Sequence, residues 1–330
     1  MSSSLLVKQA YKAKISAWEF YPEQRKGNIQ MSKSATKIPI RGFLLHITHY
    51  DPEWRKKKLR GKAFDINLAL ELIDEMHKAC LNLLVIDCAD GVRYKSHPEL
   101  ARTYTVPMSH LEKLVKRAKE KGIEVVPKLN FAQSRYHCHN HWMYPYNEVV
   151  NGKDLFDSDE YWKIGSEIID ELINVCRPKH YFHIGMDEDD ARAHSLFIKA
   201  IIKLHTGLKE RGLRTIMWKD TRKDNRGLIY TEKHLAAEKK IPNDVIQIVW
   251  KYTDTADPKI IRRLVQKGFE VWGAPGWENS EQVLKWKQML LRYGGKGLLM
   301  TRWIPCCSSN RSKLLKLIRT IGPIYEDSEI

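Results

Sequence analysis

Tyr181-Phe-His-Ile184, residues 190–211, Gly212 and Arg214-Thr-Ile-Met-Trp218 form one uninterrupted passage. The first run is apolar and too short for a helix, so it reads as a buried strand. Residues 190–211 read as a helix stopped at Gly212, a residue suited to the left-handed turn that ends helices. The last run is a second strand. The passage is therefore a β-α-β unit, and the same rhythm extends in both directions. Upstream, Arg41–Ile47 reads as a strand and residues 65–80 as a helix with Ile66, Leu70, Ile73, Met76 and Ala79 on one face. Leu83–Cys88 follows as a strand, residues 109–121 as a helix stopped at Gly122, Ile123–Leu129 as a strand and 159–176 as a helix. Downstream, helices at 231–240, 257–267, 279–292 and 309–320 alternate with strands Val245–Trp250, Phe269–Trp272 and Gly297–Thr301. Eight apolar strands, each followed by a helix, predict a closed (β/α)8 TIM barrel over residues 41–330, with a C-terminal tail. A doubly wound open sheet is the alternative, but no GxGxxG opens a helix here. Residues 1–40 fall outside the repeat and are expected to form an N-terminal arm.

The 330 residues are 43% hydrophobic, enough for one large core. No apolar run reaches the roughly 18 residues of a membrane helix. Lysines interrupt the N-terminal MSSSLLVKQAYKAKISAW, so it does not read as a secretory signal, and a cytoplasmic location is expected. Six cysteines without a CxxC pair fit a reducing compartment. Lys and Arg exceed Asp and Glu by 56 − 40 = 16, which raises a nucleic-acid reading. The basic residues are dispersed, however, and no zinc-finger, RNP or phosphate-loop motif accompanies them. A solvated basic face is the expectation, with neither nucleic acid nor membrane as partner.

Active sites of this fold lie where strands end and βα loops begin. Strand two ends in Asp87-Cys-Ala-Asp90. Strand three is followed by Asn130 and a loop with His137, His139 and His141. Strand four is followed by Asp187-Glu-Asp-Asp190. Trp218, Trp250 and Trp272 close the next three strands, with Trp277 just beyond, and Trp303 follows strand eight. Indole faces stack on the C–H faces of sugars, while carboxylates bind hydroxyls and supply acid–base chemistry. Asp189 and Asp190 are expected only to open the helix at 190, where acidic residues favour the dipole.

His183-Ile-Gly-Met-Asp-Glu188 resembles the His-x-Gly-Gly-Asp-Glu signature of glycoside hydrolase family 20, the β-N-acetylhexosaminidases. Arg41-Gly42, the Asn82–Asp90 strand, Gly122-Ile-Glu-Val-Val-Pro127 and Trp218-Lys-Asp220 resemble further pieces of that family in the same order. The chain departs from the pattern at Met186, which stands at the second Gly, and at Pro127-Lys-Leu-Asn130, where the family has Pro-Glu-Ile-Asp.

The resemblance implies an exo-acting, retaining hydrolase that removes terminal β-linked GlcNAc or GalNAc with the sugar's own 2-acetamido oxygen as nucleophile. Glu188 is then the acid and base, and Asp187 the carboxylate that holds the acetamido N–H. Arg41, Asp90 and His137 are expected to contact the sugar, with Trp218, Trp250, Trp277 and Trp303 as walls. The partner implied is an N-acetylhexosamine-containing glycan. The spacing of His137, His139 and His141 also invites a zinc reading, but no HExxH accompanies it and the implied chemistry needs no Lewis acid. No cofactor and no metal are expected. A non-catalytic glycan-binding barrel is the rival function, with a basic nucleic-acid binder behind it.

Overall fold

The strands pair in the order in which the chain makes them. β1 (Ile40–His46), β2 (Leu83–Asp87), β3 (Glu124–Lys128), β4 (Tyr181–His183), β5 (Arg214–Lys219), β6 (Ile246–Trp250), β7 (Val271–Ala274) and β8 (Gly297–Met300) run parallel. β8 returns to β1 in register Ile40↔Gly297 to Phe43↔Met300, which closes the barrel. The structure is a computed structural model and describes residues 37–47, 64–134, 139–222, 228–276 and 279–326. Of the expected arm, only residues 37–40 are among them, and Ile40 already belongs to β1.

Helices α1 (Ile66–Lys78), α2 (Met108–Glu120), α3 (Asp159–Cys176), α4 (His194–Glu210), α5 (Leu228–Ala237), α6 (Pro258–Gln266), α7 (Ser280–Tyr293) and α8 (Arg311–Glu326) follow the strands in turn. Local chemistry sets several of their ends. The Asp65 carboxylate accepts from the amides of Asn67 and Leu68 at the start of α1, and Asn279 does the same for Glu281 and Gln282 at α7. Among the described residues no helix is long and apolar enough to cross a membrane.

Side chains alternate across each strand, which separates two packed layers. Phe43, Leu45, Leu84, Ile86, Val125 and Phe182 belong to the large cluster between strands and helices. Leu44, Val85, Val126, Ile216, Ile248 and Leu299 form the smaller cluster that fills the barrel. Two residues further along, the inward parity leads to His46, Asp87, Lys128, Trp218 and Trp250. The inner core thus turns from aliphatic to charged and aromatic at its C-terminal end.

One expectation about local structure changes. Residues 189–193 are not helical, and α4 begins only after Ala193. Asp189 therefore does not serve a helix dipole. Its carboxylate receives Arg192 Nη1 at 2.6 Å and Lys233 Nζ at 3.0 Å, both buried, so it ties the loop after β4 to α5.

Candidate active site

The loop after β4 carries the chemistry, and its backbone is unusual. Gly185, Met186 and Glu188 all have positive φ, at 72°, 74° and 52°. A Cβ on Gly185 would sit 2.1 Å from Asn130 Oδ1, so only glycine fits there. Met186 and Glu188 adopt a conformation that costs a side-chain-bearing residue on the order of 1–2 kcal/mol each. The contacts that hold it are specific. Asn130 Oδ1 accepts from Met186 N and Ala132 N, both at 3.0 Å, and Asp220 Oδ2 accepts from Glu188 N at 2.8 Å.

This path buries Asp187 and Glu188 together, 6% and 7% exposed. Asp187 Oδ1 accepts from Asn130 Nδ2 at 2.7 Å. Its other oxygen lies 3.5 Å from His139 Nε2, which is also 3.1 Å from Glu188 Oε2. Glu188 Oε1 faces Arg222 Nη1 at 3.8 Å. Burial raises Asp187 above the usual carboxylate range, aided by Asp220 and Glu188 and opposed by His139 and Lys128. Burial pulls His139 down, but the two carboxylates outweigh it and its pKa is raised.

Asp220 is the second anchor. It accepts from Trp250 Nε1 at 3.0 Å and lies 3.1 Å from His234 Nε2, which also meets Met186 O at 3.0 Å. Its carboxyl is held below the usual range because these donors outweigh its burial. Trp250 therefore reaches the Glu188 backbone through a single carboxylate.

A charged and aromatic layer lies inside the barrel. Lys128 is 0% exposed, and its ammonium is 2.9 Å from Asp87 Oδ2. His46 Nδ1 stands 3.3 Å from the same oxygen. Lys128 and His46 together outweigh burial and bring the Asp87 carboxyl to about 2. The Trp303 ring spans this group: its centroid is 4.8 Å from the His46 ring, 5.9 Å from Lys128 Nζ and 6.3 Å from the Trp218 ring. Trp303 Nε1 donates to the Tyr252 hydroxyl at 2.8 Å. Trp218 is 1% exposed and packs on His183 at 4.5 Å between centroids.

The expected site residues thus fall into separate groups. Asp187, Glu188, Trp250, Trp218 and Trp303 occupy the C-terminal end of the barrel. Asp90 is buried and engaged by the Tyr104 hydroxyl at 2.5 Å and by His141 Nε2 at 3.1 Å. Arg41 needs correction. It is the second residue of β1, at the N-terminal end, and its guanidinium donates to the Cys80, Ile38 and Pro39 carbonyls and pairs with Glu326 at 3.1 Å. It ties the barrel floor to the last helix and stands away from the carboxylate pair. His137 and Trp277 lie outside the described residues. The histidine loop does not converge on one point: His139 faces Asp187 and Glu188, whereas His141 faces Asp90.

Asn130, His139, Tyr252 and His234 were not expected to line the site, His139 having been weighed only for zinc. The alternation of the histidine loop and the inward parity of β3 were the only signals pointing to the first two.

No protein-family model matches the sequence, and no curated protein matches it. Solved structures do match. The GH20 β-N-acetylhexosaminidase of Streptomyces coelicolor A3(2) superposes with a TM-score of 0.65 at 14% identity, covering 88% of this chain and 65% of that one. Flavobacterium johnsoniae chitobiase gives 0.61 at 15% identity, covering 89% of this chain and 49% of its own. A variant Streptomyces plicatus β-hexosaminidase in complex with its product GlcNAc gives 0.63 at 15%, covering 87% and 64%. This chain spans only 49–65% of the length of these proteins, and what it shares with them is the barrel.

Proposed function

We propose that this chain is a glycoside hydrolase of family 20 type, removing terminal β-linked N-acetylhexosamine by retaining, substrate-assisted catalysis. The observation that carries the proposal is the adjacent pair Asp187 and Glu188, buried together on the loop after β4 and joined through His139. The fold shared with GH20 enzymes and the indoles of Trp218, Trp250 and Trp303 at the same barrel end support it.

The roles follow from the resemblance of His183–Glu188 to the family signature. Glu188 donates its proton to the glycosidic oxygen as the C1–O bond breaks. The 2-acetamido carbonyl oxygen attacks C1 and forms a cyclic oxazolinium ion. Asp187 accepts a hydrogen bond from the acetamido N–H and balances the positive charge that develops there. Water then attacks C1 as Glu188 takes its proton, the C1–O bond to the acetamido group breaks, and the sugar leaves with its configuration retained. His139, shared between both carboxylates, orients them before substrate enters.

A chromogenic β-GlcNAc glycoside tests the proposal. The parent chain should turn it over, and Glu188→Gln should lower turnover of an unactivated disaccharide by about 10²–10⁴-fold. Binding of the disaccharide without turnover by the parent chain would favour a glycan-binding barrel instead.

A further inference from the structure

The geometry points to a divalent-cation site of zinc type formed by His139, Asp187 and Glu188, in which the metal competes with the sugar for the two carboxylates. The three ligand atoms lie within 4.8 Å of one another, and all three side chains are buried. His139 Nε2 is 3.1 Å from Glu188 Oε2 and 3.5 Å from Asp187 Oδ2. Zinc bonds of about 2.1 Å at tetrahedral angles place neighbouring ligand atoms about 3.4 Å apart. The imidazole and each carboxylate are therefore already at the separation a cation would impose.

Four further features fit a metal rather than a chance cluster of acids. The ligand set is one imidazole and two carboxylates, a nitrogen–oxygen mixture that suits zinc and leaves one position for water. Two carboxylates and a neutral imidazole match the charge of a divalent ion. Asp187 Oδ1 is bonded to Asn130 Nδ2, which fixes the carboxylate so that Oδ2 is the oxygen presented to His139. Carboxylate ligands in metal centres are held by outer hydrogen bonds of this type. The positive φ of Glu188 is what turns two consecutive side chains toward one point, since neighbours on an extended strand would diverge.

The metal would not take part in the proposed hydrolysis. It would occupy the oxygens that must hold a proton and the acetamido N–H, so a loaded centre would be silent.

Calorimetric titration of the full chain with zinc chloride, read without any substrate, tests this independently of the proposed activity. One stoichiometric site is expected, and His139→Gln, Asp187→Asn and Glu188→Gln should each weaken it at least tenfold, as loss of a ligand exceeds the tenfold and greater effects of outer-shell changes. The two carboxylate variants are isosteric and carry the test if His139→Gln does not fold. Cobalt(II) added to the parent should give the intense visible absorption of a four-coordinate ion, and free GlcNAc should diminish it. No zinc binding by the parent, or a site that survives both carboxylate variants unchanged, would overturn the inference. Zinc binding by a chain that hydrolyses no hexosaminide would leave the metal site standing and sink the proposed activity alone.

Discussion

Asn130 holds Asp187 with one end of its amide and the strained loop with the other: Nδ2 donates to Asp187 Oδ1 at 2.7 Å, while Oδ1 accepts from Met186 N at 3.0 Å. One side chain at the end of β3 thus sets both the aim of the carboxylate and the backbone that carries it. Asn130→Ala should leave buried polar groups unpaired, at a cost of about 1–3 kcal/mol each. Turnover should fall with KM changed little, because Asp187 loses its orientation rather than the pocket its shape. Unchanged kcat in Asn130→Ala would show that Asp187 is held by other contacts.

Met186 stands where the resembling family has glycine, and two effects oppose each other there. Met186→Gly relieves about 1–2 kcal/mol of left-handed strain. It also removes a side chain that is 0% exposed, and truncating such a group costs about 2–5 kcal/mol. Burial wins, so Met186→Gly should be less stable by about 1–3 kcal/mol, read as a lower denaturant midpoint. A stabilised variant would mean that the strain outweighs the packing.

Much of the barrel is legible from local chemistry. Gly122 and Gly212, taken as helix stops, have φ of 68° and 74°. Asp187 and Glu188 stand out because two carboxylates follow a short strand. Arg41 was misplaced because a motif does not say at which end of a strand it falls. Parity could have told: Arg41 shares its face with Phe43 and Leu45, which point toward the helices. His234 meets the site from a helix, through Asp220 and Met186, by long-range contacts that no periodicity encodes.

Trp250 offers a test of action at one remove. Trp250→Phe keeps a ring in place but removes the N–H that Asp220 Oδ1 accepts at 3.0 Å. Because Asp220 in turn accepts from Glu188 N, kcat should fall about tenfold while stability drops by only about 1 kcal/mol. Equal kinetics for Trp250→Phe and parent would confine Trp250 to a wall.

Acid stability should depend on Glu238. Lys219, Arg263 and Lys267 surround it at 2.7–2.8 Å, outweigh its burial and bring its carboxyl from 4.5 to about 2. A folded pKa below the unfolded one means stability that is present above pH 4.5 and lost as pH falls toward 2, worth up to about 3 kcal/mol. Lys219 is held down to about 8 by its own burial, so its effect falls in a separate alkaline window. Glu238→Gln should flatten the acid limb of a stability–pH curve between 4.5 and 2. An unaltered limb would assign it to other carboxylates.

The central claim is that the sugar supplies the nucleophile and that Asp187 and Glu188 have different tasks. The direct measurement is turnover of paired β-glycosides, 2-acetamido and 2-hydroxy, over a series of leaving groups, for parent, Glu188→Gln and Asp187→Asn. The account predicts near inertness of the 2-hydroxy series with the parent. It also predicts that Glu188→Gln suffers most with poor leaving groups, and that Asp187→Asn is slowed whatever the leaving group. Equal turnover of the two sugar series would contradict it and require a nucleophile from the protein.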